Sequence, residues 1–370
     1  MATGLRAPES TLQAIEKLAG SGLTAQRLLE EAARRIDRVV PSDGYFLGAT
    51  DPQTTLSIGA GVVRDLPLDM CQPTWDYEFR VPDYLKFNDI AQSGRPVADL
   101  HEATGGRPDR SPRWREYASA TGYRSEVRTT FTLGGATWGI GQFNRLGDAP
   151  RYSEEEKTWL ERAVPLIARG LRQALLTQPS VAPPDRGPGL VLLDEAGSVV
   201  SATREAAAWL SEVDGGITFA SGADFPMPFE AHTYAARVRA GADGQQPQGP
   251  PQARVRTRSG VWLLMHGSML EGTDQLALII EPAKAADVAP LIVEAYGFSR
   301  RELEVTRLIA RGHGTSQIAA KLFLSSHTVR DHVKAVFEKV GVSSRGELVA
   351  KVFADHYAPL PHGDPTAAGD

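Results

Sequence analysis

The chain has 370 residues, a formal net charge of −5, 42% apolar and 23% charged residues, and one cysteine. This length is enough for two or three domains, and the composition is ordinary for a soluble globular protein. The single cysteine excludes an internal disulfide, and no Cys or His cluster has the spacing of a zinc site.

No apolar run approaches the length of a membrane-spanning helix, and the N-terminus has no signal-peptide core. We therefore expect a cytoplasmic protein without a membrane partner. Charge is unevenly distributed: residues 297–358 contain ten Lys/Arg and six Asp/Glu and carry +4, so the remainder carries −9. This asymmetry predicts a nucleic-acid-binding surface near the C-terminus.

Two proline-containing stretches, residues 178–188 and the weaker 281–290, predict linkers, because proline disfavours helix and sheet interiors. The remaining sequence predicts a mobile loop at 241–251 and loose tails at 1–20 and 361–370. The resulting domain boundaries are 20–178, 189–283 and 295–358.

The first part begins with a helical pattern over residues 23–40. Strand patterns follow at 44–49 and 54–58, and alternation around Gly134-Gly135 predicts a hairpin of 127–133 with 137–143. Ser153, with Glu156 three residues later, predicts the start of a closing helix that ends near Thr177. This order of helix, antiparallel strands, hairpin and closing helix resembles a GAF domain.

GAF and PAS domains often hold a ligand between sheet and helices, so the resemblance implies a pocket for an unknown small molecule. The candidate pocket residues are Trp75, Tyr77, Phe79, Tyr84 and Trp114. Alternatively, these aromatic side chains only pack in the core or on the surface. No cofactor is predicted.

The middle part begins with a hairpin pattern, residues 190–200, in which Asp194 occupies the turn. A helix is predicted from Arg204 to Leu210, followed by strand-like runs at 254–266 and 275–280. This order resembles a short PAS domain.

The last part contains three helix starts. Ser299 with Glu302 predicts a capping box, Thr315 predicts the cap of a second helix, and Ser325 that of a third. The glycines of the Arg311–Gly314 turn predict the end of the first helix. In the third helix, one stripe is apolar (Val329, Val333, Val336, Phe337, Val340), while the opposite face carries hydrogen-bonding side chains. Such a helix suits the major groove of DNA.

This segment resembles the DNA-binding domain of the LuxR/FixJ family of bacterial transcription regulators. The resemblance rests on some sixty residues in register, among them Glu302, Gly312, Ile318, Thr328 and Val329. It implies a four-helix domain that dimerises through its last helix and binds double-stranded DNA. The residues that it places at the DNA are Thr315, Ser316, Lys321, His327, Thr328, Arg330, Asp331 and Lys334.

Asp331 is acidic on a face that should meet DNA. It could accept a hydrogen bond from a cytosine amino group, or it could orient Arg330 by pairing with it. Ser316 stands where the family often has lysine, which would remove one phosphate contact.

The predicted architecture is a multidomain α+β protein: a GAF-like α/β domain, a small PAS-like α+β domain and an all-α four-helix helix-turn-helix domain. No Walker A, Gly-x-Ser-x-Gly or His-Glu-x-x-His motif occurs, so no enzyme activity is predicted. We expect a homodimeric, sequence-specific transcription regulator that a signal at the upstream domains modulates, with RNA polymerase as a further candidate partner. In the alternative, regulation is constitutive and the upstream domains are ligand-free dimerisation or protein-contact modules.

Overall fold

The first part of the chain is built on a five-stranded antiparallel sheet. The computed structural model describes residues 6–66, 71–178, 181–213, 218–221, 225–244 and 251–354. The strands are β1 (Gly44–Thr50), β2 (Ser57–Arg64), β3 (Val97–Asp99), β4 (Tyr123–Leu133) and β5 (Ala136–Leu146), in the order β2-β1-β5-β4-β3.

Helices cover both faces of this first sheet. They are α1 (Arg6–Ala19), α2 (Ala25–Ile36), α3 (Cys71–Phe79), α4 (Phe87–Ser93), α5 (Leu100–Ala103) and α6 (Glu154–Thr177). Helices α1, α2 and α6 pack together over one face. On the other face, Phe87 of α4 packs with Phe46 and Ile140. The predicted order of helix, strands, hairpin and closing helix is confirmed.

Helix α6 begins where the sequence predicts. The Ser153 hydroxyl accepts a hydrogen bond from the Glu156 amide at 3.2 Å, and the Glu156 carboxylate accepts one from the Ser153 amide at 2.8 Å. These reciprocal bonds satisfy amides that an isolated helix end leaves without partners.

Two predictions for the first part are wrong. Residues 6–19 of the expected N-terminal tail form α1, because Leu12, Ile15 and Ala19 are buried among the core residues of the first unit. The second strand starts at Ser57 rather than Thr54, because the chain turns at Asp51 to Thr55 and Thr55 takes a left-handed φ of 59°. The expected tail at 361–370 lies outside the described residues.

The middle part is built on a second five-stranded antiparallel sheet, order β10-β11-β12-β6-β7. Its elements are β6 (Gly189–Leu193), β7 (Val199–Ala202), α7 (Arg204–Leu210), β8 (Thr218–Ser221), β9 (Phe225–Pro228), α8 (Phe229–Ala242), β10 (Gln252–Arg256), β11 (Trp262–Met269) and β12 (Leu276–Pro282). Strands β8 and β9 form a separate two-stranded sheet, and the predicted hairpin and helix α7 are confirmed.

Three details of the middle part differ from prediction. The run 254–266 is two strands, because a turn at 257–260 reverses the chain. The sequence does not predict helix α8, since this helix is buried almost all round and so has no amphipathic period. It extends to Ala242, into the expected loop, and 245–250 of that loop lie outside the described residues.

The first two units share a buried interface. Edge strand β2 packs beside edge strand β10, and α3 packs against α8. Asp51 and Arg254 form an ion pair across it, with side chains only 2% and 3% exposed. The Ser57 hydroxyl donates to the Glu230 carboxylate at 2.8 Å, and Trp75 lies edge-on to Phe229 with ring centroids 4.5 Å apart. The two units are therefore packed together with little water between these groups.

The second predicted linker is wrong, because residues 285–295 form helix α9 (Ala285–Ala295). Its buried side consists of Val288, Leu291, Ile292 and Ala295, which recur at helical spacing and pack toward α6. Burial of this stripe outweighs the missing amide of Pro290 within the helix.

The C-terminal unit contains α10 (Arg300–Ala310), α11 (Thr315–Leu322), α12 (Ser326–Val340) and α13 (Arg345–Val349), the last continued by a π-helical turn at Ala350–Ala354. The predicted all-α unit is confirmed. No helix in the described ranges is long and apolar enough to span a membrane.

Candidate DNA-binding site

Helices α11 and α12 form two consecutive helices joined by a short turn. Gly312, with a φ of 79°, ends α10, and the chain turns directly into α11. Phe323 ends α11 with a φ of 56°, and the Ser325 hydroxyl caps α12 by accepting from the Thr328 amide at 3.0 Å. Gly341, with a φ of 68°, ends α12. Local backbone chemistry thus fixes both ends of α12.

Helix α12 has one buried side and one exposed side. Val329, Val336 and Val340 are buried in the core of the C-terminal unit, whereas Val333 and Phe337 are half-buried. The predicted apolar stripe is therefore correct in position. It leaves the opposite side of the helix open along its length.

The exposed side carries most of the residues predicted to meet DNA. Six of them are exposed: Ser316, Lys321, His327, Arg330, Asp331 and Lys334. Thr315 and Thr328, at the two helix starts, are half-buried. The structure thus places the predicted polar residues of α12 along one accessible helix side, preceded by the polar residues of α11. This arrangement could follow a DNA groove and its phosphates.

Asp331 is held by His327, not by Arg330. The His327 Nδ1 atom lies 2.9 Å from an Asp331 carboxylate oxygen, one helical turn away. The guanidinium of Arg330 has no hydrogen bond or ion pair within the described part of the chain. The suggestion that Asp331 orients Arg330 is therefore wrong for this conformation, and Arg330 is free to reach a base edge or phosphate.

Thr315 does not cap α11. The helix starts after Gly314, whose amide donates to the Gln317 side chain at 2.9 Å. The Thr315 hydroxyl instead accepts a hydrogen bond from Arg345 at 2.8 Å, and the same guanidinium donates to the His313 carbonyl at 2.9 Å. Arg345 thereby ties α13 to the turn before α11, a positioning role that the sequence did not reveal.

Phe323 is a second residue that sequence reasoning missed. It is 94% exposed and adopts a left-handed conformation that is uncommon for a bulky side chain. It lies in the turn between α11 and α12, two residues before the cap of α12. The sequence gives no signal for it, because a single exposed residue in a turn belongs to no helical or strand period.

Glu302 joins α10 to α12. Its carboxylate accepts from the Ser299 amide at 2.6 Å and from the Lys339 ammonium at 2.6 Å. Burial alone would raise the pKa of this carboxyl group, but the hydrogen bonds from Lys339 and Ser299 outweigh it and hold the pKa below its ordinary value of 4.5. The capping box predicted from sequence is thus also part of the contact between two helices.

We expect this contact to make stability depend on pH. A lowered pKa in the folded state contributes stability that is present above about pH 4.5 and is lost as the pH falls through the folded-state pKa. Thermal unfolding of Glu302→Gln, followed by circular dichroism, should therefore show a lower Tm than the native chain at pH 7 and a smaller difference near pH 3.5. Glu338→Gln, at an exposed position of α12, is the control. A Tm difference that is the same at both pH values would contradict this assignment.

The predicted ligand-pocket residues do not come together in one cavity among those that the described residues line. Trp75 and Phe79 lie at a cavity between the first two units, which encloses only about 20 Å³. Tyr77 donates to the Glu116 carboxylate and lies edge-on to Tyr117, with ring centroids 5.4 Å apart. Tyr84 and Trp114 are half-buried elsewhere on the segment that leads to β4. Aromatic packing, the alternative interpretation, describes Trp75, Phe79 and Tyr77 better.

Ion pairs occupy the space between the first sheet and α3. Arg128 of β4 donates to the Glu78 carboxylate at 2.9 Å, and Arg113 donates to the Glu126 carboxylate at 2.6 Å. All four side chains are at most 9% exposed. Paired charges therefore occupy part of this face of the sheet, beside the apolar cluster that contains Phe87. No group of three or more potential metal ligands occurs in the ranges that the structure describes.

The caps, the glycine turn and the two-sided α12 define a helix-turn-helix DNA-binding domain. Residues 297–352 match the family model described as bacterial regulatory proteins, luxR family. The oxygen regulatory protein NreC of Staphylococcus aureus strain JH9 is 49% identical over 51 residues, which are 14% of this chain and 24% of NreC. The C-terminal part of the chain is therefore a DNA-binding transcription-regulator domain of the LuxR family.

The match is confined to one domain, since this chain covers about a quarter of the length of the curated relatives it matches. Among solved structures, the GAF domain of a phosphoenolpyruvate-protein phosphotransferase from Coxiella burnetii aligns with 45% of this chain and 93% of its own, at 15% identity and a TM-score of 0.32. SdiA in complex with octanoyl-rac-glycerol aligns over 96% of both chains, at 13% identity and a TM-score of 0.34. Both TM-scores are low, and neither structure shows what this chain binds.

Proposed function

We propose that the protein is a transcription regulator that binds a two-fold-symmetric DNA site as a homodimer. Helix α12 enters the major groove, with Arg330 reading a base and Lys334 contacting a phosphate. Ser316 and Lys321 of α11 lie near the phosphate backbone. Two copies of α12 would enter successive major grooves about 34 Å apart.

One observation carries this proposal: the exposed side of α12. Lys334 is 80% exposed, and Arg330 is exposed without a partner among the described residues. Long exposed cationic side chains can reach a phosphate or the acceptor edge of guanine. The net charge of +4 on residues 297–358 adds a favourable field for DNA.

The test is selection of genomic fragments by the purified full-length chain. We expect it to enrich a two-fold-symmetric sequence, and Arg330→Ala/Lys334→Ala to enrich none. Arg300→Ala removes a cation of α10 that is 92% exposed and serves as the matched control. If the double variant enriches the same sequence as the native chain, α12 is not the reading element.

Lys334→Ala is expected to weaken binding to all DNA sequences alike. Removing one cation–phosphate contact reduces the slope of log K against log salt by roughly 0.9, because fewer counterions are released on binding. Titration of specific and unrelated duplexes at several salt concentrations measures this slope. Arg300→Ala should leave the slope unchanged, and an unchanged slope for Lys334→Ala would mean that Lys334 contacts no phosphate.

For the upstream units, the proposal is that they control the DNA-binding domain in response to a signal. The GAF-like element order and the order of hairpin, helix and strands in the PAS-like unit support this role. The cavity beside Trp75 and Phe79, as the described residues line it, is well below the roughly 300–1,000 Å³ of ordinary ligand sites, so these two side chains give no support to a small-molecule ligand over a protein contact. Native mass spectrometry of the purified chain decides between the two, because a retained ligand appears as added mass.

If the full-length chain selects no DNA but the segment from residue 285 onward does, the upstream units hold DNA binding off until a signal arrives. RNA polymerase is a further proposed partner, which a regulator contacts once it is bound beside a promoter.

A further inference from the structure

The second sheet has one covered face and one partly open face. Helices α7 and α8 cover the inner face, where Val191, Leu278 and Met265 are fully buried. The outer face carries the alternate residues of the same strands. At its β10 end, the first unit covers it, and Arg254 is buried there against Asp51. The rest of the outer face, on β7, β6 and β12, has no such cover in the described structure.

The uncovered part of this face is apolar. Leu190 is 38% exposed and Ile279 is 43% exposed, and the two are register partners on neighbouring strands. Leu192 lies two residues along β6 from Leu190 and is half-buried. On β7, Ser201 is the register partner of Leu192, and Val200, 50% exposed, lies at the register shift beside it. Exposed leucine and isoleucine side chains that are strand neighbours form a patch, unlike the isolated exposed residues of an ordinary surface.

The patch carries almost no charge. Strands β6, β7 and β12 contain one charged residue, Glu281, and His266 of β11 lies 3.5 Å from its carboxylate. In an interface between two copies related by a two-fold axis, side chains close to the axis face their own equivalents, so like charges there would repel. This face avoids that cost.

We propose that the open part of this outer face, formed by Leu190, Leu192 and Ile279, is the interface between two copies of the chain. The copies pack face to face about a two-fold axis, and the apolar patch continues the surface that the first unit already covers at the β10 end. The proposal rests on the dimeric regulator proposed above and assigns its dimer contact to the middle unit. Pairing through edge strand β7 is less favourable, because the register shift at Val200 interrupts a regular ladder.

The experiment is sedimentation velocity of the full-length chain without DNA, over protein concentrations from about 0.1 to 100 μM. We expect the native chain to be a dimer in the upper part of this range. Ile279→Glu should raise the dimer dissociation constant by at least about 100-fold, because the interface would bury like charges close together. Leu190→Glu should do the same.

Leu146→Glu is the matched control, since Leu146 is a 40% exposed apolar residue of β5 in the first unit. It should leave the dimer unchanged. Circular dichroism and Tm of the three variants should match those of the native chain, because all three positions are exposed.

A native chain that stays monomeric up to 100 μM would overturn the proposal. So would an Ile279→Glu variant that dimerises as the native chain does. Since DNA is absent from this measurement, either result leaves the selection of genomic fragments to decide the proposed function separately.

Discussion

Asp51→Ala is expected to lower the free energy of unfolding of the two upstream units by about 3–5 kcal/mol. Arg254, whose side chain is 3% exposed, would lose the carboxylate that compensates its charge. Its remaining described side-chain partner is the neutral Gln53 amide oxygen at 3.1 Å. A buried guanidinium without a counter-charge is costly because burial removes its hydration.

The measurement is urea unfolding followed by tryptophan fluorescence. All six tryptophans lie at or before residue 262, so the signal reports the upstream units and not the DNA-binding domain. The Asp51 carboxylate also accepts a hydrogen bond from the Gln53 backbone N–H at 2.9 Å. Asp51→Asn keeps an acceptor for this N–H and isolates the effect of charge. Asp51→Leu/Arg254→Met should recover much of the stability, because it removes both charges.

Glu9→Ala provides the exposed control. Glu9 pairs with Arg162 at 2.8 Å, but both side chains are more than half exposed, so the destabilisation should stay below about 1 kcal/mol. If Asp51→Ala costs no more than Glu9→Ala, the Asp51–Arg254 pair is not a stabilising contact between the units. A large effect would mean that this contact holds the first two units together as one body. A change in either unit would then affect the other.

Arg330→Ala is expected to weaken binding to the selected DNA site by about 1–3 kcal/mol, which is about 5- to 150-fold, and to relax the base preference at one position in each half-site. Arginine can donate two parallel hydrogen bonds to guanine, and alanine can donate none from its side chain. Because Arg330 is exposed and forms no described side-chain bond, the substitution should leave Tm unchanged.

The measurement is competition binding with a set of duplexes that carry each base at every position of the site. Arg330→Ala should lose discrimination at one position, whereas Lys334→Ala should keep the full pattern at lower affinity. Arg300→Ala should match the native chain in both respects. A uniform weakening across all duplexes for Arg330→Ala would place its guanidinium on a phosphate instead of a base.

Much of the secondary structure follows from local sequence. The capping boxes at Ser153 and Ser299 and the cap at Ser325 occur as predicted, because each depends on residues within one helical turn. The hairpin of β4 and β5 follows from strand alternation on either side of a two-glycine turn. The apolar stripe of α12 follows from helical period, and it fixes which residues of that helix remain exposed.

Other features depend on which surfaces meet in the folded chain. Helix α9 contains a proline, and its sequence predicts a linker, yet its apolar stripe forms a helix because α6 is there to cover it. Helix α1 likewise forms because α6 covers its apolar side. Thr315 has the chemistry of a cap, but Gly314 holds that position and Arg345, thirty residues later in the chain, binds the Thr315 hydroxyl.

The sequence by itself determined most of the helix starts and ends in the DNA-binding domain, since the caps, the glycine turn and the helical period depend on residues that are near neighbours in the chain. Only the tertiary structure decided how the two upstream units pack against each other and which sheet face stays open. Asp51 and Arg254 are some two hundred residues apart, and the open face of the second sheet exists only where β6 and β12 pair. Such features depend on strand order and on the packing of one unit against another, which local periodicity does not encode.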